Sequence, residues 1–264
     1  MRRLILLIVM LCLLLMTSQA QEGQGLIRQG VINIARHGQS RLISTFSIPT
    51  SWTYDDSLPN VVFNPDEAER LLEDAGWVQV ARRSIRECVN CGTARDGTRL
   101  SLSLGYFEGR AYNAVEAIVI QQQLRRIGID ISIYPTTLSD VSDQRFDMYT
   151  TNWGDNYPST LNLELAVTPE ADVLNSNRVW NITSYNNSDV TRLIHEAQTV
   201  AGCDLGERQA IYSEVERILQ DDLPYIWLHS NTVTHAYNAD IQNISIQIND
   251  ALWNLDDWWV FDAP

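Results

Sequence analysis

The stretch from Leu100 to Tyr134 constrains this chain most, because its hydrophobic period changes twice within it. Leu100-Ser-Leu-Ser-Leu alternates with period two, the pattern of a half-buried strand. Ala111 to Ile127 reads as a helix, and Gly128 stops it. Ile129 to Tyr134 alternates again, and Phe146 to Thr150 reads as a third strand leading into Trp153. A strand-helix-strand-strand order with a right-handed crossover predicts an α/β lobe, a mixed sheet flanked by helices.

The flanks extend this pattern. Ile27 to Ala35 carries apolar residues at helical spacing, and a long polar connection follows through Pro49, Trp52, Tyr54 and Pro59. Asn64 is placed to cap a helix that opens with Pro65, Asp66 and Glu67. Ala68, Leu71, Leu72 and Ala75 form its buried stripe, and Gly76 ends it before a short strand at Trp77 to Val80. Asp189 to Val200 and Glu207 to Leu219 read as amphipathic helices, and Pro224 to Leu228 as a strand. Trp253, Trp258 and Trp259 crowd the last dozen residues, which predicts a core strand closing the fold rather than a ligand stack.

Arg2 and Arg3 precede an apolar run from Leu4 to Met16, and small residues follow up to Ala20. This is the pattern of an export signal over residues 1–20, since a span of the bilayer needs about 20 apolar residues. Without Arg2 and Arg3 the formal charge moves from −14 to −16, and every basic residue is an arginine. That acidity argues against nucleic acid and anionic membranes as partners, and the missing lysine excludes Schiff-base chemistry and a P-loop. Three cysteines remain after residue 20. Cys88 and Cys91 read as a small local disulfide clip, with Asn90 and Gly92 suggesting a turn; a zinc knuckle would need a second ligand pair. Cys203 is left over and is expected to be a buried thiol.

Several segments in sequence order carry a family resemblance. Ile27-Arg-Gln-Gly-Val-Ile-Asn-Ile-Ala-Arg, Asn64-Pro-Asp-Glu-Ala-Glu-Arg-Leu-Leu-Glu-Asp-Ala-Gly-Trp and Asp96-Gly-Thr-Arg-Leu-Ser-Leu come first. Gln123-Leu-Arg-Arg-Ile-Gly-Ile-Asp-Ile, Phe146-Asp-Met, Trp153-Gly, Tyr157-Pro, Tyr185-Asn-Asn-Ser-Asp-Val and Asp221-Asp-Leu-Pro-Tyr-Ile-Trp-Leu follow. Together they resemble the second lobe of family 5 extracellular solute-binding proteins, the peptide- and nickel-binding subunits of ABC importers. The resemblance implies a periplasmic-binding-protein type II lobe, ligand capture outside the cytoplasmic membrane, permease subunits as partners and no cofactor. Membrane contact would come only through the transporter. Members of that family are about twice as long, as two domains of ordinary size require. The expected organisation is therefore a signal over 1–20, the second lobe over 21–232, and a segment over 233–264 that returns to a first lobe largely missing here.

The same resemblance puts the ligand site on Trp153, Gly154, Asp155, Asn156 and Tyr157, with Tyr185 opening a later helix. In peptide-binding members an acidic residue before the tyrosine of this motif pairs with the peptide's amino terminus; Asn156 stands there, and Asp155 one residue earlier. Trp153 has a second reading, as a cap on the core. The four histidines are scattered and no Gly-x-Ser-x-Gly elbow exists, so the sequence argues against an enzyme.

Overall fold

The computed structural model describes residues 26–60, 63–82, 84–153, 160–174, 180–247 and 250–261. Residues 1–20, where the export signal is expected, lie outside them. Helix α1 (Leu26–Ala35) leads to strand β1 (Ser40–Leu42), and a connection then crosses to α2 (Pro65–Asp74). The α2 start follows from its sequence: the Asn64 side chain accepts from the Glu67 amide at 3.1 Å, and Pro65 sits at the first helical position. Gly76 ends it with φ +81, and a Cβ there would lie 2.6 Å from the Cys91 backbone, so both backbone conformation and close approach require glycine. Strands β2 (Trp77–Val78) and β3 (Glu87–Cys88) then pair antiparallel.

The central sheet comprises β4 (Ser101–Phe107), β5 (Asp130–Thr136) and β6 (Met148–Thr150) in the order β5-β4-β6, all parallel. Helix α3 (Ala111–Arg126) is the crossover between β4 and β5. Register follows the period-two pattern: Leu102 faces Ile131, and Leu104 faces Ile133 on one side and Met148 on the other. These leucines and isoleucines join Leu72, Trp77, Ala117, Leu124 and Ile129 in a first hydrophobic core. Gly105 lets β4 approach its neighbour, since a Cβ there would sit 2.4 Å from the Thr136 methyl.

Arg86 crosses the end of this core with no solvent exposure. Its Nε donates to the Ile127 carbonyl at 2.8 Å and its Nη1 to the Trp77 carbonyl at 2.9 Å. Nη2 lies 3.7 Å from a Glu69 oxygen, inside ion-pair range but beyond a hydrogen bond, and Glu69 is 43% exposed, so that contact adds little.

A second core joins short helix α4 (Leu138–Ser142) to α5 (Leu161–Val167), α6 (Ser188–Thr199) and α7 (Leu205–Asp222), through Leu163, Ala166, Ile194, Tyr212, Val215 and Leu219. Strand β7 (His229–Asn231) returns to pair antiparallel with β1, and β8 (Ile241–Gln242) pairs with β9 (Trp259–Val260).

The structure corrects three expectations. Pro224 to Leu228 is not a strand; pairing begins only at His229. Pro224 has no amide to donate, and Tyr225 is instead anchored in the second core, its hydroxyl donating to the Ala166 carbonyl at 2.9 Å. Cys203 is exposed rather than buried, at the end of a short 3-10 turn (Ala201–Cys203) kinked at Gly202. Trp253 and Trp259 are 49% and 53% exposed and Trp258 is half-buried; β9, which holds Trp259, pairs with β8 in a two-strand ribbon rather than in a core sheet.

Cys88 and Cys91 form a disulfide, with Asn90 and Gly92 at positive φ in the turn. Constraining so short a loop is worth about 2 kcal/mol. Reducing the bond, or replacing both cysteines with serine, lowers unfolding free energy by that amount in a urea titration; no change would mean that the turn residues alone hold this loop.

Candidate functional site

One large cleft of about 1440 Å³ opens between the β1 and α3 side of the molecule and the second core. Its wall is aromatic. Phe46 packs against Trp153 with ring centres 5.8 Å apart and against Trp227 edge-on at 5.3 Å. Trp153 also meets Tyr225 edge-on at 6.1 Å and stacks on Trp180 at 6.0 Å, while Tyr225 stacks on Trp227 at 5.2 Å. Trp153 packs on the second core, and it also lines the cleft. The indole Nε1 groups of Trp153 and Trp227 are buried and make no hydrogen bond among the described residues.

Tyr185 also lines the cleft. Its hydroxyl donates to Asp222 Oδ2, which accepts from Asn187 Nδ2 at 2.8 Å as well. Burial, and then the neighbouring Asp222 carboxylate, hold this phenol above its ordinary pKa. Its proton is thus committed to Asp222, which leaves the ring as what Tyr185 presents to the cleft. Gly154, Asp155, Asn156 and Tyr157 lie outside the described residues.

The lining also carries charge. Glu116 on α3 meets Arg36 Nε at 3.2 Å and His229 Nε2 at 3.0 Å with the same oxygen, and all three side chains are nearly buried. The Arg36 guanidinium lies 3.6 Å over the Tyr112 ring and also donates to Asn231. This network ties α1, α3 and β7 together at the cleft. Sequence reading missed it, and missed Phe46 and Trp227, because the partners are remote in the chain. One signal was available: Tyr225, Trp227 and His229 alternate, as residues on one face of an extended segment do.

Among the described residues no cluster of three His, Cys, Asp or Glu side chains could hold a metal ion, and no helix is long and apolar enough to cross a membrane.

The α/β lobe has the fold of type II periplasmic binding proteins, matching solved structures of that fold over part of their length. The family model described as "Bacterial extracellular solute-binding proteins, family 5 Middle" matches residues 26–166, so the chain belongs to that family. The oligopeptide-binding protein AppA of Bacillus subtilis is 23% identical over 239 residues, covering 88% of this chain and 42% of the relative. The nickel-binding periplasmic protein of Escherichia coli is 26% identical over 224 residues, covering 82% and 40%. The structure of NikZ from Campylobacter jejuni in complex with Ni(L-His) superimposes with a TM-score of 0.73 at 17% identity, covering 96% of this chain and 48% of that one. The chain thus spans less than half the length of these relatives.

Proposed function

We propose that this chain acts as the substrate-binding component of an ABC-type importer, capturing oligopeptides or a related small solute outside the cytoplasmic membrane and handing it to permease subunits. The observation that carries this reading is the aromatic cleft, in which Trp153, Phe46, Trp227 and Tyr225 offer apolar surface beside polar and charged groups. Its relatives are named for oligopeptide and nickel binding, which favours capture without chemistry. On this reading, ligand stabilises a closed state that the transporter recognises.

Residues 21–232 act as the second lobe, and residues 233–264 pack on a first lobe. The exposure of Val233, Tyr237, Trp253, Trp259 and Phe261 supports that role for the closing segment. The same exposure favours a second reading, a non-binding remnant or interaction module of the family.

Thermal unfolding of the full chain against short peptides, nickel chelates and sugars separates the two. A solute that binds only the native state adds about 2.7 kcal/mol at a hundredfold excess over its dissociation constant. A raised midpoint with one solute class supports capture and names the class. A midpoint unmoved by every class supports the remnant.

A further inference from the structure

We infer that Glu216, which does not itself line the cleft, is the positioning residue that sets its loop wall. This rests on the cleft being the binding site. The loop over residues 43–53 supplies a large part of the lining, including Phe46, Ser47, Ile48, Pro49 and Thr50. It has no regular secondary structure to hold its shape. Helix α7 holds it instead, through a polar stripe on one face: Gln209, Ser213, Glu216 and Gln220 recur at spacings of four, three and four.

Each member of the stripe takes a different point of the connection. Gln209 donates to the Tyr54 carbonyl at 3.0 Å and Ser213 to the Asp55 carboxylate. Gln220 donates to the carbonyls of Ser44 at 3.0 Å and Pro59 at 3.1 Å. Glu216, only 1% exposed, accepts from two consecutive amides, Phe46 N at 3.0 Å on one oxygen and Ser47 N at 2.7 Å on the other. Phe46 touches both Trp153 and Trp227, as Tyr225 does from the second core.

Glu216 is the member of the stripe that cannot be replaced by an amide. Each of the two adjacent N–H groups meets its own oxygen, and the carboxyl group supplies both, ionised or protonated. Glutamine has the same size but one acceptor, so its amide nitrogen would face a backbone N–H, donor against donor. The loop must then turn away at Phe46 or Ser47, moving the ring between the two tryptophans.

The test compares E216Q with V215A, which empties part of the second core on the same helix and leaves every hydrogen bond from α7 to the loop in place. Both variants should lose stability. In E216Q, hydrogen exchange at the Phe46 and Ser47 amides should quicken at least tenfold relative to V215A at matched stability, and tryptophan emission should shift. Equal exchange at these amides in both variants would overturn the proposal and leave Glu216 an ordinary core group. A titration with trialanine adds the functional arm: affinity should fall at least tenfold in E216Q and stay within about twofold in V215A. Equal affinities in the two variants would also overturn it. If trialanine does not bind the parent protein, peptide capture is contradicted, and amide exchange alone still decides the role of Glu216.

Discussion

Replacing Arg86 with methionine should lower the unfolding free energy by roughly 2–5 kcal/mol, as expected when two buried acceptors lose their donor. The guanidinium satisfies the carbonyls of Ile127 and Trp77, one at the turn from α3 to β5 and the other at the start of β2. Methionine fills much of the space but donates nothing, so both carbonyls stay buried and unpaired. Glu73 and Glu69 matter less, because they are 58% and 43% exposed and return to water when the cation goes. For a domain of this size the midpoint should drop by roughly 5–15 °C. Arg70 is the control: it makes shorter contacts with Glu67 and Asp74, but on the surface, where water and salt compete. R70A should move the midpoint far less than R86M in paired circular-dichroism melts. A reversed order would mean that the Arg86 carbonyls find other donors.

The second large effect concerns Glu216 and pH. Burial pushes its carboxyl above the ordinary range, and hydrogen bonds from Phe46 and Ser47 only partly offset that. A carboxyl whose pKa is higher folded than unfolded binds its proton more tightly in the native state. Its stabilising contribution is therefore complete below the unfolded value of about 4.5 and is lost as pH rises through the folded value. One such group changes stability by at most about 1.4 kcal/mol per pH unit. In E216Q that dependence disappears, while the stranded amide costs about 1–3 kcal/mol. The stability difference between the parent protein and E216Q should thus be larger at pH 5 than at pH 8. Urea titrations at both values measure it, and a difference that grows toward pH 8 would show that ionisation of Glu216 stabilises the fold.

What the sequence made legible was whatever depends on neighbours in the chain. The Asn64 cap, the alternation in β4 and β5, the glycine stops at residues 76 and 128, and the Cys88–Cys91 clip each rest on a few adjacent residues. The misreadings came where tertiary packing decides. Pro224 to Leu228 has strand-forming residues, yet Tyr225 and Trp227 serve an aromatic wall, and pairing waits until His229. Trp253 and Trp259 suit a core that the described residues do not provide. Of the residues that line the cleft, Trp153 and Tyr185 were legible because short motifs mark them. Phe46, Glu116, Arg36 and His229 were not, since the contacts that define them join residues up to 195 apart.

The most direct test of solute capture is a fluorescence titration of the parent protein, W153A and W259A with the peptide, nickel-chelate and sugar panel. Trp153 lines the cleft, and Trp259 lies outside it on the exposed ribbon. The expected result is saturable binding of one solute class to the parent protein, at least tenfold weaker in W153A and unchanged in W259A. Absence of binding to the parent protein, or equal binding by W153A, would contradict solute capture in this cleft.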